Sequence, residues 1–199
     1  MIADWRKAFK QYDFPFYIVS LAAFMPHREQ PGDDGWAELR EAQAYTAETV
    51  PNSGLALAID KGDANDIHPK DKREIGERLA FCALAKHYKK AIPFSGPTIK
   101  TAESVPGGMK LHFDHTDGGL VTKGEKLEEF SICGEDGKWR WADARIEGDS
   151  VIASSPEVPY PKHVRYAWQS NPKATLFNGA GLPAVPFRTD SPCMKIPTK

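Results

Sequence analysis

Residues 55–74 read Leu55-Ala-Leu-Ala-Ile-Asp-Lys-Gly-Asp-Ala-Asn-Asp-Ile-His-Pro-Lys-Asp-Lys-Arg-Glu74, and this stretch decides how the first half of the chain is read. Leu55 to Asp60 is a short apolar run of the kind found in strands buried on both faces. A polar loop follows. Asp71, with Glu74 three residues on, has the form of a capping box and opens a helix through Ile75, Leu79, Cys82, Leu84 and Tyr88. Strand, loop and helix in this order form a unit of a parallel α/β layer.

The residues upstream repeat the unit. Asp4 to Gln11 reads as a helix, and Phe16 to Phe24 is an apolar run broken only by Ser20 and bounded by Pro15 and Pro26, a second buried strand. A loop with Pro31, Gly32, Asp33 and Asp34 leads to a helix from Trp36 to about Glu48, stopped before Pro51 because the residue preceding a proline avoids helical geometry. Two buried strands need neighbours on both edges and helices on both faces, which about 90 residues with three helices do not supply. The layer is therefore expected to be partial, completed by an upstream segment or by a second chain, and self-association is a further expectation.

After Ser95 the helical periods give way to short alternating runs between glycine turns. Met109, Leu111 and Phe113 share one face. Glu128 to Cys133 turns through Gly134-Glu-Asp-Gly137 into Lys138 to Ile146, a hairpin pattern, and Val151–Ser154 and Val164–Trp168 add strands. The expected fold class is α/β, a partial parallel sheet layer, followed by an all-β antiparallel sandwich, with residues 1–91 in the first domain and 92–199 in the second.

The 199 residues balance 26 basic against 27 acidic side chains without a basic stripe, so neither nucleic acid nor a membrane surface is an expected partner. The longest largely apolar run, Phe14 to Met25, is short of the roughly 20 residues needed to cross a bilayer, and Met1-Ile-Ala-Asp-Trp-Arg has no signal-peptide pattern. Cys82, Cys133 and Cys193 are widely spaced and read as small buried hydrophobes rather than a disulfide or zinc framework.

Chemistry is expected where the loop leaves the carboxyl end of the second strand, the edge at which open α/β sheets build their sites. His68, preceded by Asp66 and Asp63 and followed by Pro69, is placed to act as a general base with a carboxylate orienting its ring. The same pattern also fits a solvated loop histidine. Arg40 and Gln43 share the apolar face of the Trp36 helix and are candidate substrate-binding residues, with a buried structural ion pair as the other reading of Arg40. His112, Asp114, His115 and Asp117 do not combine a strand face with ligand spacing, so no metal site is expected. No G-x-S-x-G elbow occurs, and Ser53 and Ser95 do not stand between strand and helix. Trp139, Trp141 and Trp168 read either as core or as sugar contacts.

Trp36, Leu39, Arg40, Ala42 and Gln43, then Ile59 to Lys72 with its D-I-H-P core, Gly76 to Ala80, Phe94-Ser-Gly-Pro97, Val164 to Trp168 and Gly181 to Asp190 together resemble the carboxyl-terminal portion of the sialate O-acetylesterase family. The resemblance implies an SGNH-hydrolase α/β domain with β-sandwich elements. It implies removal of O-acetyl groups from sugars such as sialic acids or plant polysaccharides, no metal or organic cofactor, and a secreted, periplasmic or lysosomal setting. His68 matches the family's catalytic histidine, and Asp66 is the carboxylate available within D-I-H-P. The wider group often places its acid three residues before the histidine, where this chain has Asn65, and the family's G-Q-S-N nucleophile motif is absent from the sequence. A second chain or missing amino-terminal segment would then carry the serine. A non-catalytic carbohydrate-binding or structural subunit is the alternative.

Overall fold

The computed structural model describes residues 1–191, and Cys193 lies outside them. The chain runs α1 (Ile2–Ala8), β1 (Phe16–Val19), α2 (Gly35–Thr49), β2 (Ser53–Ala56) and α3 (Lys72–Cys82), the last continuing into a π-helical turn at Ala83–His87. Then follow β3 (Thr98–Val105), β4 (Gly108–Asp114), β5 (Leu120–Thr122), β6 (Phe130–Cys133), β7 (Arg140–Trp141), β8 (Asp143–Glu147), β9 (Ser150–Ser154), β10 (His163–Tyr166), β11 (Leu176–Asn178) and β12 (Phe187–Arg188). The architecture is mostly antiparallel sheet with few helices, and the parallel layer is a pair of strands.

β1 and β2 run parallel, with Phe16 opposite Ser53 and Val19 opposite Ala56, and β1 has no other strand beside it among the described residues. The consequence is exposure. Val19 is 40% accessible, so the Phe16–Phe24 run is not buried on both faces as its composition suggests. The strand also stops at Val19 instead of Phe24, because beyond Ser20 the backbone is claimed by α2. Leu21 N–H donates to Gln43 Oε1 (3.0 Å), and the indole of Trp36 donates to the Ala22 carbonyl (3.0 Å). The second run is likewise displaced, from the expected Leu55–Asp60 to Ser53–Ala56. Leu57, Ala58 and Ile59 stay buried but bond elsewhere, Ala58 N–H to Ser20 Oγ and the Leu57 carbonyl to Arg78.

The helix signals are local and survive. Asp34 caps α2, its carboxylate accepting from Trp36 N–H (2.9 Å) and Ala37 N–H (3.0 Å), and Asp71 caps α3 by accepting from Glu74 N–H (3.2 Å). α1 ends at Ala8, earlier than Gln11, as Lys10 turns left-handed at φ 54°.

Beyond residue 95, two four-stranded antiparallel sheets, ordered β3-β4-β9-β8 and β12-β10-β6-β7, are accompanied by the β5–β11 pair. One hydrophobic core draws on both sheets, with Met109, Leu111 and Val151 from the first and Phe130, Ile132 and Tyr166 from the second. Ile59, from the chain just past β2, belongs to the same core. The Lys138–Ile146 run divides at Ala142, since Trp141 pairs with Ser131 of β6 whereas Ile146 pairs with Val151 of β9. Cys82 and Cys133 are free and buried, and burial pushes the Cys133 thiol up to about 11. The three tryptophans part company. Trp168 is 4% exposed, Trp139 lies under the Arg165 guanidinium at 4.0 Å, and Trp141 is half-buried at a cleft.

Arg40 fastens the parallel layer to the antiparallel part. It is 2% exposed, and its guanidinium donates to the carbonyls of Leu21 (2.8 Å), Ala22 (2.7 Å), Gln169 (2.7 Å) and Ser170 (2.8 Å). Desolvation lowers its pKa to about 10, so the group remains charged at neutral pH. Arg40→Met keeps most of the stem and leaves the Leu21 and Gln169 carbonyls without a donor, while the Ala22 carbonyl keeps the Trp36 indole and the Ser170 carbonyl keeps Phe24 N–H. With each buried unsatisfied group costing about 1–3 kcal/mol, urea unfolding should show a loss of at least about 2 kcal/mol. A loss below about 1 kcal/mol would mean that water replaces the guanidinium without penalty.

Candidate active site

The candidate site is the loop from Asp60 to Lys70, between the end of the β2 segment and α3. Its base is held by charge. Arg78 of α3 forms a two-pronged pair with Asp60, at 2.5 and 2.8 Å, and also donates to the Leu57 carbonyl (2.7 Å). Lys61 reaches Asp71 (3.2 Å) and is in contact with Glu74. The first end of the loop is thus fixed to the start and body of α3 by partly buried ion pairs, whose loss would leave a buried charge unpaired.

The flank of the loop is held by shape. At Gly62 a Cβ would stand 1.8 Å from the Ala23 carbonyl oxygen, so only glycine lets the loop lie against the segment that follows β1. The two segments are joined by Met25 N–H donating to the Ala64 carbonyl at 3.1 Å. Beyond this seam the chain folds on itself, Asn65 N–H donating to Asp63 Oδ1 (2.9 Å). Gly62 had no assigned role in the sequence, since the surface that forbids a side chain there is almost forty positions away along the chain.

Asp66 and His68 are brought together. Asp66 Oδ1 accepts from the His68 backbone N–H at 2.9 Å and lies 3.1 Å from His68 Nδ1. The backbone bond first, and the ring bond second, hold the Asp66 carboxyl below the usual carboxylate range, so it is ionised at neutral pH. With Nδ1–H directed at Asp66, Nε2 is left as the basic nitrogen, the tautomer a general base requires. The pair stands in the open, with the His68 side chain 83% and that of Asp66 44% exposed.

Arg40 and Gln43 lie on the neighbouring face and act on backbone. The ion pair expected for Arg40 is replaced by the four carbonyls, and Gln43 secures Leu21 through its side-chain oxygen. Together they grip both polar atoms of Leu21, in the segment against which the His68 loop packs. The serines are similarly engaged. Ser20 Oγ accepts from Ala58 N–H, Ser53 Oγ donates to the Val50 carbonyl (2.6 Å), and Ser95 Oγ donates to the Gly96 carbonyl (3.0 Å). His112 is bonded to Glu103 and Asp114 to Lys100, and no cluster of metal-ligating side chains occurs among the described residues.

Gly62→Ala forces a shift of backbone against backbone. A loss of about 2 kcal/mol or more in thermal unfolding, with faster amide exchange confined to 60–68 and 21–25, is the expected result. An unchanged exchange pattern would show that the seam does not hold the loop.

No family model matches the sequence, and no curated protein is similar to it. Among solved structures, the chain is similar to a carbohydrate acetylesterase from Xanthomonas citri, with a TM-score of 0.88 and 39% identity over 96% of this chain and 44% of that one. The likeness runs over nearly the whole of this chain, which spans less than half the length of that carbohydrate acetylesterase.

Proposed function

We propose that this chain is the histidine-bearing portion of a serine-type carbohydrate O-acetylesterase. The carrying observation is its 39% identity to a carbohydrate acetylesterase across 96% of its length. In this reading His68 Nε2 removes the proton from a serine hydroxyl as the oxygen attacks the acetyl carbonyl. The resulting imidazolium is held by Asp66 and returns the proton to the sugar oxygen as the acetyl–oxygen bond breaks. Water, deprotonated by the same nitrogen, then releases acetate from the serine. The acetylated sugar, a sialic acid or another, is the substrate, and no cofactor takes part.

The serine and the oxyanion donors belong to a further segment, in the same polypeptide or in a second chain. Its place is the open side of β1. Leu39 (49% exposed), Val19 (40%), Tyr12 (73%) and Met1 (78%) are exposed apolar side chains on α1, β1, α2 and their connections, and Ile18, Ala42 and Val50 line a groove of about 810 Å³ there. A sheet edge beside an apolar groove suits a parallel strand and its helix.

The isolated chain should hydrolyse p-nitrophenyl acetate no faster than buffer, because a base without nucleophile and oxyanion donors stabilises little of the transition state. In an assembly containing the serine, His68→Ala should lower kcat on an acetylated sugar by about 10³-fold or more, and Asp66→Asn by less. Wild-type turnover in folded His68→Ala would remove the assignment and leave the non-catalytic binding reading. Leu39→Glu, half exposed in the isolated chain, should leave its melting temperature unchanged yet weaken association with the serine-bearing segment by at least about tenfold, read by titration.

A further inference from the structure

A second histidine–carboxylate pair, unrelated to the His68 loop by sequence, is built more tightly. His27, on the segment between β1 and α2, places Nε2 2.7 Å from Glu129 Oε1. The Glu129 side chain is only 3% exposed, and its carboxylate also accepts from Gln169 Nε2 (2.6 Å) and Lys173 N–H (3.1 Å). Its backbone is left-handed at φ 69°, a conformation costly for glutamate and held here by the surrounding bonds. His27 itself is 38% exposed and opens onto a cleft of about 390 Å³, within the size range of small-ligand sites.

Trp141, Asp143, Glu157, Lys173 and Glu128 also line the cleft. The Trp141 indole N–H donates to the Glu29 carbonyl at 2.8 Å, which holds the ring in place at the cleft. A fixed indole beside carboxylates suits a sugar ring, whose C–H face packs on the aromatic plane while its hydroxyls donate to the acids. Glu128 is paired with Lys173 (3.1 Å) and Glu157 with Arg140 (3.1 Å), so the cleft has no surplus of positive charge to hold a ligand that is itself an acid. The cleft is also tied to the candidate active site. The segment that presents His27 bonds to the His68 loop through Met25 and Ala64 at one end and to Trp141 through Glu29 at the other.

We propose that this cleft is a binding subsite for uncharged sugar residues of the glycan that carries the acetyl ester. The assignment rests on the carbohydrate reading above, but it concerns binding alone and needs neither His68 nor a serine.

The test is titration of the chain with cellotriose, maltotriose and 3′-sialyllactose, followed by calorimetry and by the His27 ring resonances. Saturable binding of at least one neutral trisaccharide is expected, weaker binding of the sialylated one, a loss of about tenfold or more in Trp141→Ala, and no change in His68→Ala. Trp141→Phe, which keeps a stacking ring, should lose less, and Asp143→Asn, at an exposed position, should weaken binding without lowering the melting temperature. No saturable binding of either neutral sugar, or equal binding in Trp141→Ala and Asp143→Asn, would overturn the subsite. Preference for sialyllactose would overturn its charge selectivity. Binding intact in a protein whose serine-containing assembly hydrolyses no acetyl ester would instead defeat the esterase reading and leave the subsite standing.

Discussion

The guanidinium of Arg40 is the interaction on which the rest of the molecule depends. Its four carbonyl partners come from two distant stretches, Leu21 and Ala22 after β1 and Gln169 and Ser170 after β10. Neither stretch is in a sheet, so their carbonyls have no ladder to satisfy them, and a buried acceptor left open is expensive. One planar cation meets both needs at once, which a lysine with its single nitrogen would not do. Asp34 reinforces the seam from the start of the same helix, capping α2 while accepting from Ser170 N–H (3.1 Å) and Ser170 Oγ (2.8 Å). Glu41, the residue next to Arg40, holds Arg188 of β12 at 2.7 Å. α2 is therefore bound to the antiparallel part by charge, and a small apolar cluster of Ala44 with Val185, just before β12, and with Leu55 and Leu57 at the end of β2 joins it to both.

This arrangement explains what was legible in the sequence. Helix ends announce themselves within a few residues, and Asp34 and Asp71 stand where capping chemistry puts them. Alternation revealed the buried face of β4 at Met109, Leu111 and Phe113 for the same reason, since the pleat is local. The lengths of β1 and β2 were not legible, because apolar character says that Leu21 and Leu57 turn away from water but not that their backbone hydrogen bonds go to Gln43, Arg40 or Arg78. The division of Lys138–Ile146 into β7 and β8 was hidden likewise, as it depends on which strand each half meets. β3, with lysine and glutamate among its residues, gave no clean alternation, and a register shift between Ile99 and Thr101 breaks its period.

The two histidine sites divide along the same line. His68 was visible because Asp66, its partner, is two positions away and the motif is contiguous. Glu129 is 102 positions from His27 and Gln169 a further 40, so no window of sequence contains that cluster. The contrast extends to surroundings. Long-range contacts bury Glu129 and fix it through three donors, whereas Asp66 depends on donors from His68 alone.

Exposure is the feature of the His68 pair that constrains its chemistry. A proton-transfer pair in bulk water gains little from orientation, because water competes for both nitrogens and screens the developing charge. Asp66 and the turn at Asp63 settle the direction of the ring, which is the part of preorganisation that local sequence can supply. Water exclusion is the other part, and it requires a surface opposite the loop. The exposed apolar side chains of this chain are concentrated on α1, β1 and α2, the layer that also carries the loop at its carboxyl edge. A segment that completed the sheet beside β1 would cover those side chains and extend the edge at which His68 stands. In the proposed esterase, completing the fold and closing the site are then one event, with burial of the Leu39 and Val19 surface providing the free energy that holds the nucleophile against the base.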